Sequence, residues 1–359
     1  MSAAGGAPDR PRRLRLGALL ASGVALSALL AVVGLSLGSA ELGAGAIARV
    51  LAAHLLPAGS AAGGDLAIDP VADAIVWSLR LPRVLLAMLV GASLAIAGAL
   101  MQGLFRNALA SPGIVGTSAG ASLGAICALA FGLADQSVLA LPALAIGGAL
   151  AALLVVQAIA TRDGSSPAAT LLLAGVALTA FIGAINAWII ASSWEEHEVA
   201  RRISYWLLGG LSDRGWIHVA IVAPCLLGAG IVAWWLGRDL DLLLEGEEVA
   251  SALGVEVERT RRVLLAASAV LAGAAVAVSG VVAFVGLVVP HVVRLLLGPA
   301  HRTLLVAGAV TGAWFVLGAD LVARTVVAPQ ELQLGVVTAF VGAPFFLFLL
   351  VRHRWEIGE

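Results

Sequence analysis

The side chains able to do chemistry are few, and they do not assemble into a catalytic set. Ser279 followed by Gly280, with His291 downstream, is the pairing that could supply a nucleophile and a base, as an intramembrane protease would need. These residues fall in different apolar runs with no supporting motif, so nucleophilic catalysis has little behind it. The six histidines are scattered without an HExxH or HxxxH pair. Cys127 and Cys225 each lie in an apolar run, where a small buried hydrophobe is the ordinary role. No metal site is expected. No Walker A pattern occurs, so work driven by ATP has to come from another chain.

What remains is charge and hydrogen-bonding capacity set in greasy surroundings. Asp320 and Arg324 stand four apart, the spacing of an ion pair on one helix face. Gln102, Ser118, Thr179 and Asn186 are uncharged polar residues inside apolar runs, where bonding between helices is their common use. Thr179, Asn186 and Trp188 share one run and would also suit the wall of a translocation path. Residues 240–255 space Leu242, Leu243, Val249, Ala252 and Leu253 so that a helix gains one apolar face. Such a face in a solvated loop needs the bundle or a partner to cover it. Residues 107–112 interrupt two apolar runs. A turn is the plain reading and a narrow gate the functional one, because irregular backbone at membrane depth persists only where it lines protein or a cavity.

The elements that must position these groups follow from composition. The 359 residues are 61% hydrophobic and 12% charged, with a mean hydropathy of +1.03. A chain with so little charge cannot cover a soluble surface, so an all-α integral membrane protein is expected. Net charge is -1, so nothing suggests nucleic acid as a partner, and all 21 basic residues are arginine. A hydrocarbon core of about 30 Å takes roughly 20 apolar residues per helix. Ten spans fit, near 16–37, 83–105, 113–132, 138–160, 168–193, 217–236, 263–283, 285–298, 304–322 and 335–351. They form a single transmembrane domain over 16–351, with cytoplasmic tails at 1–15 and 352–359. The first run is longer than the roughly 7–15 residues of a signal-peptide core, so it reads as an uncleaved helix.

Between the spans, residues 41–79 read as a mixed external segment and 161–167 as a cytoplasmic turn. Residues 194–216 read as an amphipathic stretch at the outer interface, anchored by Trp194, Tyr205, Trp206 and Trp216. With both termini inside, fourteen arginines fall on cytoplasmic segments and seven outside. That bias supports the orientation and leaves external arginines such as Arg80, Arg83 and Arg324 needing a reason. Gly116, Gly120 and Gly124 form GxxxGxxxG, and Gly91, Ala95 and Ala99 a second small-residue stripe, as in helices whose backbones touch. RVLLA at 83–87 returns at 262–266, each time followed by a Gly/Ala-rich helix, Gly-Leu and a proline. The two copies enter from opposite sides, the pattern of an inverted repeat in a transporter.

Blocks spread from residue 79 to 351 resemble the permease subunits of bacterial ABC importers for iron–siderophore, haem and cobalamin, the FecCD/BtuC-like family. They include LRLPR (79–83), GALMQGLFRNALASPGIVGTSAGA (98–121), YWLLGGL (205–211), GEEVASALG (246–254), VAFVGLVVPHVVRLL (282–296) and ELQLGVVTAFVGAPFFLFLL (331–350). The resemblance implies a type II importer permease of ten helices, working as a homodimer or beside a close paralogue in the inner membrane, with the path at the subunit interface. It implies two ATPase subunits inside, which use ATP and Mg, and a substrate-binding protein outside; this chain itself would bind no cofactor. Docking arginines would fall on Arg80, Arg83 and Arg324. The coupling segment would fall on Gly246, Glu247, Ala250, Leu253 and Gly254, and the cytoplasmic gate on Asn107, Leu109, Ser166, Pro167 and Ala168. The family's usual Asn-Pro-Leu-Ala reads Asn107-Ala108-Leu109-Ala110 here. Iron chelates, siderophore or haem, stand ahead of cobalamin as the cargo. An ATP-independent secondary transporter or channel is the alternative from another class, and the near absence of mid-span charge speaks against it.

Overall fold

The computed structural model describes residues 10–38, 40, 42–56, 69–161, 166–193 and 197–357; Trp194 lies outside them. Within them the chain is helical. Helix α1 (Arg10–Ser36) is followed by a short α2 (Ala44–Leu55). A turn at Pro70–Asp73 and a wide-wound stretch, Ala74–Arg80, lead without interruption into α3 (Leu81–Leu104). The tight turn Pro112–Val115 opens α4 (Thr117–Ala130). Then come α5 (Ala140–Ala160), α6 (Ala168–Ser192) and the interfacial α7 (His197–Leu207). Helix α8 (Trp216–Trp235) runs into two short helices, α9 (Gly237–Glu245) and α10 (Glu247–Ala252). The chain closes with α11 (Val257–Ser279), α12 (Val285–Leu297), α13 (His301–Thr325) and α14 (Leu334–Ile357).

Each of the ten expected spans therefore has its helix, and seven are long and apolar enough to cross a membrane. Helices α4, α12 and the apolar part of α14 are shorter. The differences have local causes. The second span starts well before residue 83, because Pro70 and the Asp69 side chain, which accepts from Val71 N–H at 3.1 Å, start a helix there. Pro82 cannot donate and crowds the carbonyl four residues back. The chain answers by widening one turn, so that Leu81 N–H donates to Val76 O, five residues back, and the helix continues. Segment 41–79 is not a plain loop either, since α2 lies there and is pinned to the widened turn. His54 stacks on Trp77 at 4.0 Å and sits 2.7 Å from Asp73. The last helix runs on through Ile357, past the expected end at 351.

Helices α3 and α11 are the centre. Buried residues make up 83% of the apolar stretch containing α3 and 78% of the apolar stretch of α11, against 17% for that of α8 and 11% for that of α1. Helix α3 packs on α12 and α13 as α11 packs on α4 and α5; α6 leans on α4 and α5 as α14 does on α12 and α13. The two helices run in opposite directions. Helix α3 leaves the end holding Arg80 and Arg83, whereas α11 arrives there, where Gly210 N–H donates to Ser279 O at 2.8 Å. The repeated RVLLA segments thus head two exchangeable four-helix units, as an inverted repeat requires.

Small residues set the distance between these helices, as van der Waals packing in lipid requires. A methyl group at Gly98 would lie 1.7 Å from Gly286 O, and one at Gly120 2.2 Å from Gly148 O, so backbones touch there. The first contact joins the two RVLLA units, and the second lies on the expected GxxxGxxxG face. We expect Gly98→Val to cost about 3 kcal/mol or to block folding, as overpacking does. Gly147→Ala, with nothing within 4 Å of the added methyl, should leave the melting temperature of purified protein unchanged. Equal melting for the two variants would refute the contact.

Candidate docking and coupling sites

The three arginines expected to face outward gather at one end of the bundle, and each is already engaged. Arg80 is 7% exposed. Its Nη1 donates to Leu35 O at 2.7 Å and Ser36 O at 3.2 Å, and its Nη2 to Ala40 O at 2.6 Å. It thus closes the last turn of α1, where orphan carbonyls and the helix dipole favour a cation. Arg80 is thus a helix clamp, its donors taken up by carbonyls of its own chain. Arg83 spans two carboxylates. It reaches Asp320 at 2.9 Å and Glu331 at 2.9 Å and 3.0 Å. Arg324 Nε lies 3.1 Å from Asp320 Oδ2, which supplies the expected i,i+4 pair.

Asp320 is 1% exposed, so two guanidiniums neutralise one buried carboxylate. Glu331 is one-third exposed and also accepts from Ser212 Oγ at 2.7 Å. Burial would raise the Glu331 carboxyl, but the bonds from Arg83 and Ser212 prevail and hold it below its ordinary value of 4.5. The cluster is close to neutral. Sequence reasoning placed Arg83 and Arg324 together but missed Glu331 as the shared acceptor; its position just before α14 carried the signal.

At the opposite end, α9 and α10 hold the expected coupling residues on a rigid step. Gly246 (φ 132°) turns the chain between the two helices. Ala250 faces inward with no exposure, whereas Val249 and Leu253 are 47% and 62% exposed. Helix α10 stops in a Schellman-type turn, with Val255 N–H on Ala250 O at 3.0 Å and Gly254 at φ 90°. An apolar ridge is therefore offered outward on a capped helix. Glu247 Oε1 lies 2.5 Å from Arg261, which is itself buried.

Both candidate gate loops sit at this same end. Asn107 Oδ1 accepts from Leu109 N–H at 2.9 Å, an Asx turn that keeps Asn107 and Leu109 exposed. In the other loop Ser166 is buried, its N–H 3.3 Å from Glu258 and its carbonyl 3.1 Å from Arg261. Pro167 precedes α6 in extended conformation, with Ala168 opening the helix. The path candidates divide. Asn186 donates to Ser122 Oγ at 3.0 Å and so bonds α6 to α4. Thr179 Oγ1 is buried close to Gly116 without a partner, while Trp188 is 70% exposed on the outer face of α6. Ser279, the candidate nucleophile, is fully buried and donates to Ala275 O at 2.8 Å, out of reach of any substrate. Among the described residues no group of histidine, cysteine or carboxylate side chains could hold a metal ion.

Comparison with known proteins agrees with this arrangement. The FecCD transport family matches residues 16–352. A cobalamin import system permease protein, BtuC, of Halobacterium salinarum is 45% identical over 283 residues, covering 79% of this chain and 75% of that protein. A hemin transport system permease protein, HmuU, of Yersinia pestis is 43% identical over 284 residues, covering 78% of this chain and 84% of its own. Among solved structures, a metal-chelate type ABC transporter in an inward-facing conformation superposes with a TM-score of 0.80 at 29% identity, over 94% of this chain and 99% of that one. A helical membrane bundle with a capped apolar step at one end and a neutralised arginine cluster at the other is thus placed by its sequence as well, and the chain belongs to the FecCD transport family, as a permease subunit of an ABC importer.

Proposed function

We propose that the chain is one half of a dimeric importer of metal chelates, worked by two ATPase subunits and supplied by an extracytoplasmic substrate-binding protein. The observation that carries this is the α9–α10 step, whose Leu253 and Val249 stay largely exposed among the described residues. A greasy ridge on a short capped helix is what a hinged partner can grip. Closure of the ATPases pulls on this step and shifts the dimer between inward- and outward-open packings. Both termini lie in the cytoplasm in this scheme. The second copy covers α6 and α14, the thinly packed helices that expose Phe181, Trp188, Phe340 and Phe348. The ATPase partners use ATP and Mg; this chain binds neither. The reading from another class, movement of cargo without ATP, finds few ionisable groups in mid-span to serve it.

An iron chelate, haem or a ferric siderophore, is the proposed cargo. The relative named for hemin supports haem. Cobalamin is the second reading, favoured by the relative named for cobalamin import. Reconstituted transport of haemin, cyanocobalamin and a ferric siderophore, each with its cognate binding protein, decides among them. Uptake of all three without ATPase subunits would overturn the importer itself.

At the outer end, Arg83 is the docking cation, reached by acidic groups of the binding protein in competition with Glu331. Glu331→Gln should therefore tighten docking about fivefold at low salt, with the gain shrinking as salt screens it. Docking that ignores the substitution would remove Arg83 from the interface. The same carboxylate supplies a pH dependence. Its folded pKa is depressed, so its contribution is complete above pH 4.5 and lost as pH falls through the lower folded value. Melting curves of wild type should drop more steeply below pH 4.5 than those of Glu331→Gln. At the inner end, Leu253→Glu buries a charge against the ATPase and should cut transport at least tenfold without lowering the melting temperature. Normal transport by that variant would end the coupling assignment.

A further inference from the structure

We propose that two arginines, Arg261 and Arg106, are the transmission residues that tie the α9–α10 step to the two gate loops, one arginine to each loop. This rests on the coupling role given above to α10.

Arg261 lies in the first turns of α11 and is 6% exposed. Its Nη2 holds Glu247 of α10 at 2.5 Å. Its Nη1 holds both Glu258, at 2.5 Å, and the Ser166 carbonyl, at 3.1 Å. One rigid, planar fork therefore joins the first residue of α10 to the loop that starts α6. The side chains differ in exposure, 56% for Glu247 and 7% for Arg261. The partner-facing carboxylate has room to move, and the guanidinium behind it does not. A displacement of α10 must either break a charge-assisted pair or carry the 166–168 loop along.

Arg106 makes the second tie from the other loop. Helix α3 ends with Asn107 N–H on Gln102 O at 3.2 Å and Arg106 N–H on Gly103 O at 3.2 Å. This is the Schellman pattern, and its left-handed position normally belongs to glycine. Here Arg106 occupies it at φ 47°. A side chain there is strained, and the use of this one is visible: its Nη2 donates to Leu243 O on α9. Behind it, Gly103 lies against Leu240 of α9 and against His301. Asp241 of α9 accepts from His301 N–H at 2.9 Å and lies 2.6 Å from its Nδ1. Helix α9 is thereby clamped to the C-terminal end of α3 and the start of α13, and Arg106 passes its position to Asn107 and Leu109.

The test separates transmission from folding by using substitutions that keep the fold. Arg106→Gly suits the left-handed turn better than arginine, and Arg106→Asn tolerates it, yet both cut the tie to Leu243. Arg261→Lys keeps a buried cation beside Glu258 but cannot span the Glu247 carboxylate and the Ser166 carbonyl at once. The complete transporter, with ATPase subunits and binding protein, is reconstituted in proteoliposomes, and transport per ATP hydrolysed is measured. Cysteine reporters at Ala108 and Ala169, in a background lacking Cys127 and Cys225, read each loop with a membrane-impermeant thiol reagent, with and without ATP and vanadate. Each arginine variant is expected to melt at or above the wild-type temperature for Arg106→Gly and near it for the others. Each should lose about tenfold in transport per ATP, a typical coupling between sites. The nucleotide-dependent change in reactivity should vanish at Ala169→Cys for the Arg261 variant and at Ala108→Cys for the Arg106 variants. A merely structural role would alter reactivity equally in both nucleotide states. Wild-type ratios of transport to hydrolysis in either arginine's variants would overturn the proposal. Should Leu253→Glu uncouple transport while the arginine variants do not, the relay alone fails; should Leu253→Glu transport normally, the coupling reading beneath it fails first.

Discussion

A guanidinium shut away from water must find an acceptor for its N–H groups, and most of the functional geometry in this chain follows from that requirement. Arginine stays charged even when buried, and four of those inside the bundle draw carbonyls or carboxylates around them. Arg80 draws the end of α1. Arg83 and Arg324 draw Asp320, and Arg83 draws Glu331 as well, which fastens the chain before α14 to α3. Arg261 draws α10, the base of α11 and the loop before α6 to a single point. Their first effect is structural. They fix where the ends of helices stand, and recognition is built from the positions they fix.

Between the two charged ends, a different constraint holds. Lipid gives no hydrophobic reason for helices to associate, so they associate where backbones can touch. Gly98 against Gly286 and Gly120 against Gly148 are such points. Contacts of this kind tolerate little adjustment, because no side chain is present to yield. The centre of the bundle is therefore fixed by backbone contact, whereas other segments are tied in through side-chain bonds. Those are α9, α10 and the two loops beside them, where charge-assisted bonds can break and re-form. A stiff centre with adjustable ends is the mechanical condition for a switch between two packings.

How far the sequence carried this picture depends on which force set each feature. The ten spans were readable because apolar length alone decides them. The small-residue stripes gave the contact faces for the same reason: nothing else in the sequence competes for that role. The inverted repeat was visible in RVLLA and reappears in matched packing around α3 and α11. The widened turn before α3 was not readable. Pro82 signals a disturbance, but whether the helix stops or rewinds depends on the tertiary contacts of Val76 and Arg80, both buried. Asn186 likewise looked like a path residue, and only the position of Ser122 on the neighbouring helix shows where its amide goes.

Arg80 is the instructive case. Its charge made it stand out, and a family pattern gave it a docking role, yet an arginine near a membrane surface has two ways to satisfy its donors: a partner's carboxylate or its own chain's carbonyls. Spacing along the sequence cannot distinguish them, because Leu35 and Ala40 lie more than a helix away from Arg80 in the chain. The same ambiguity applies in reverse to Arg106, which looked like an ordinary inside arginine and instead occupies a glycine conformation. Charge in such a sequence marks where a constraint exists. Which constraint it is follows from the backbone groups brought close by folding, and for a chain whose surface is mostly lipid-facing, those groups are at the ends of its helices.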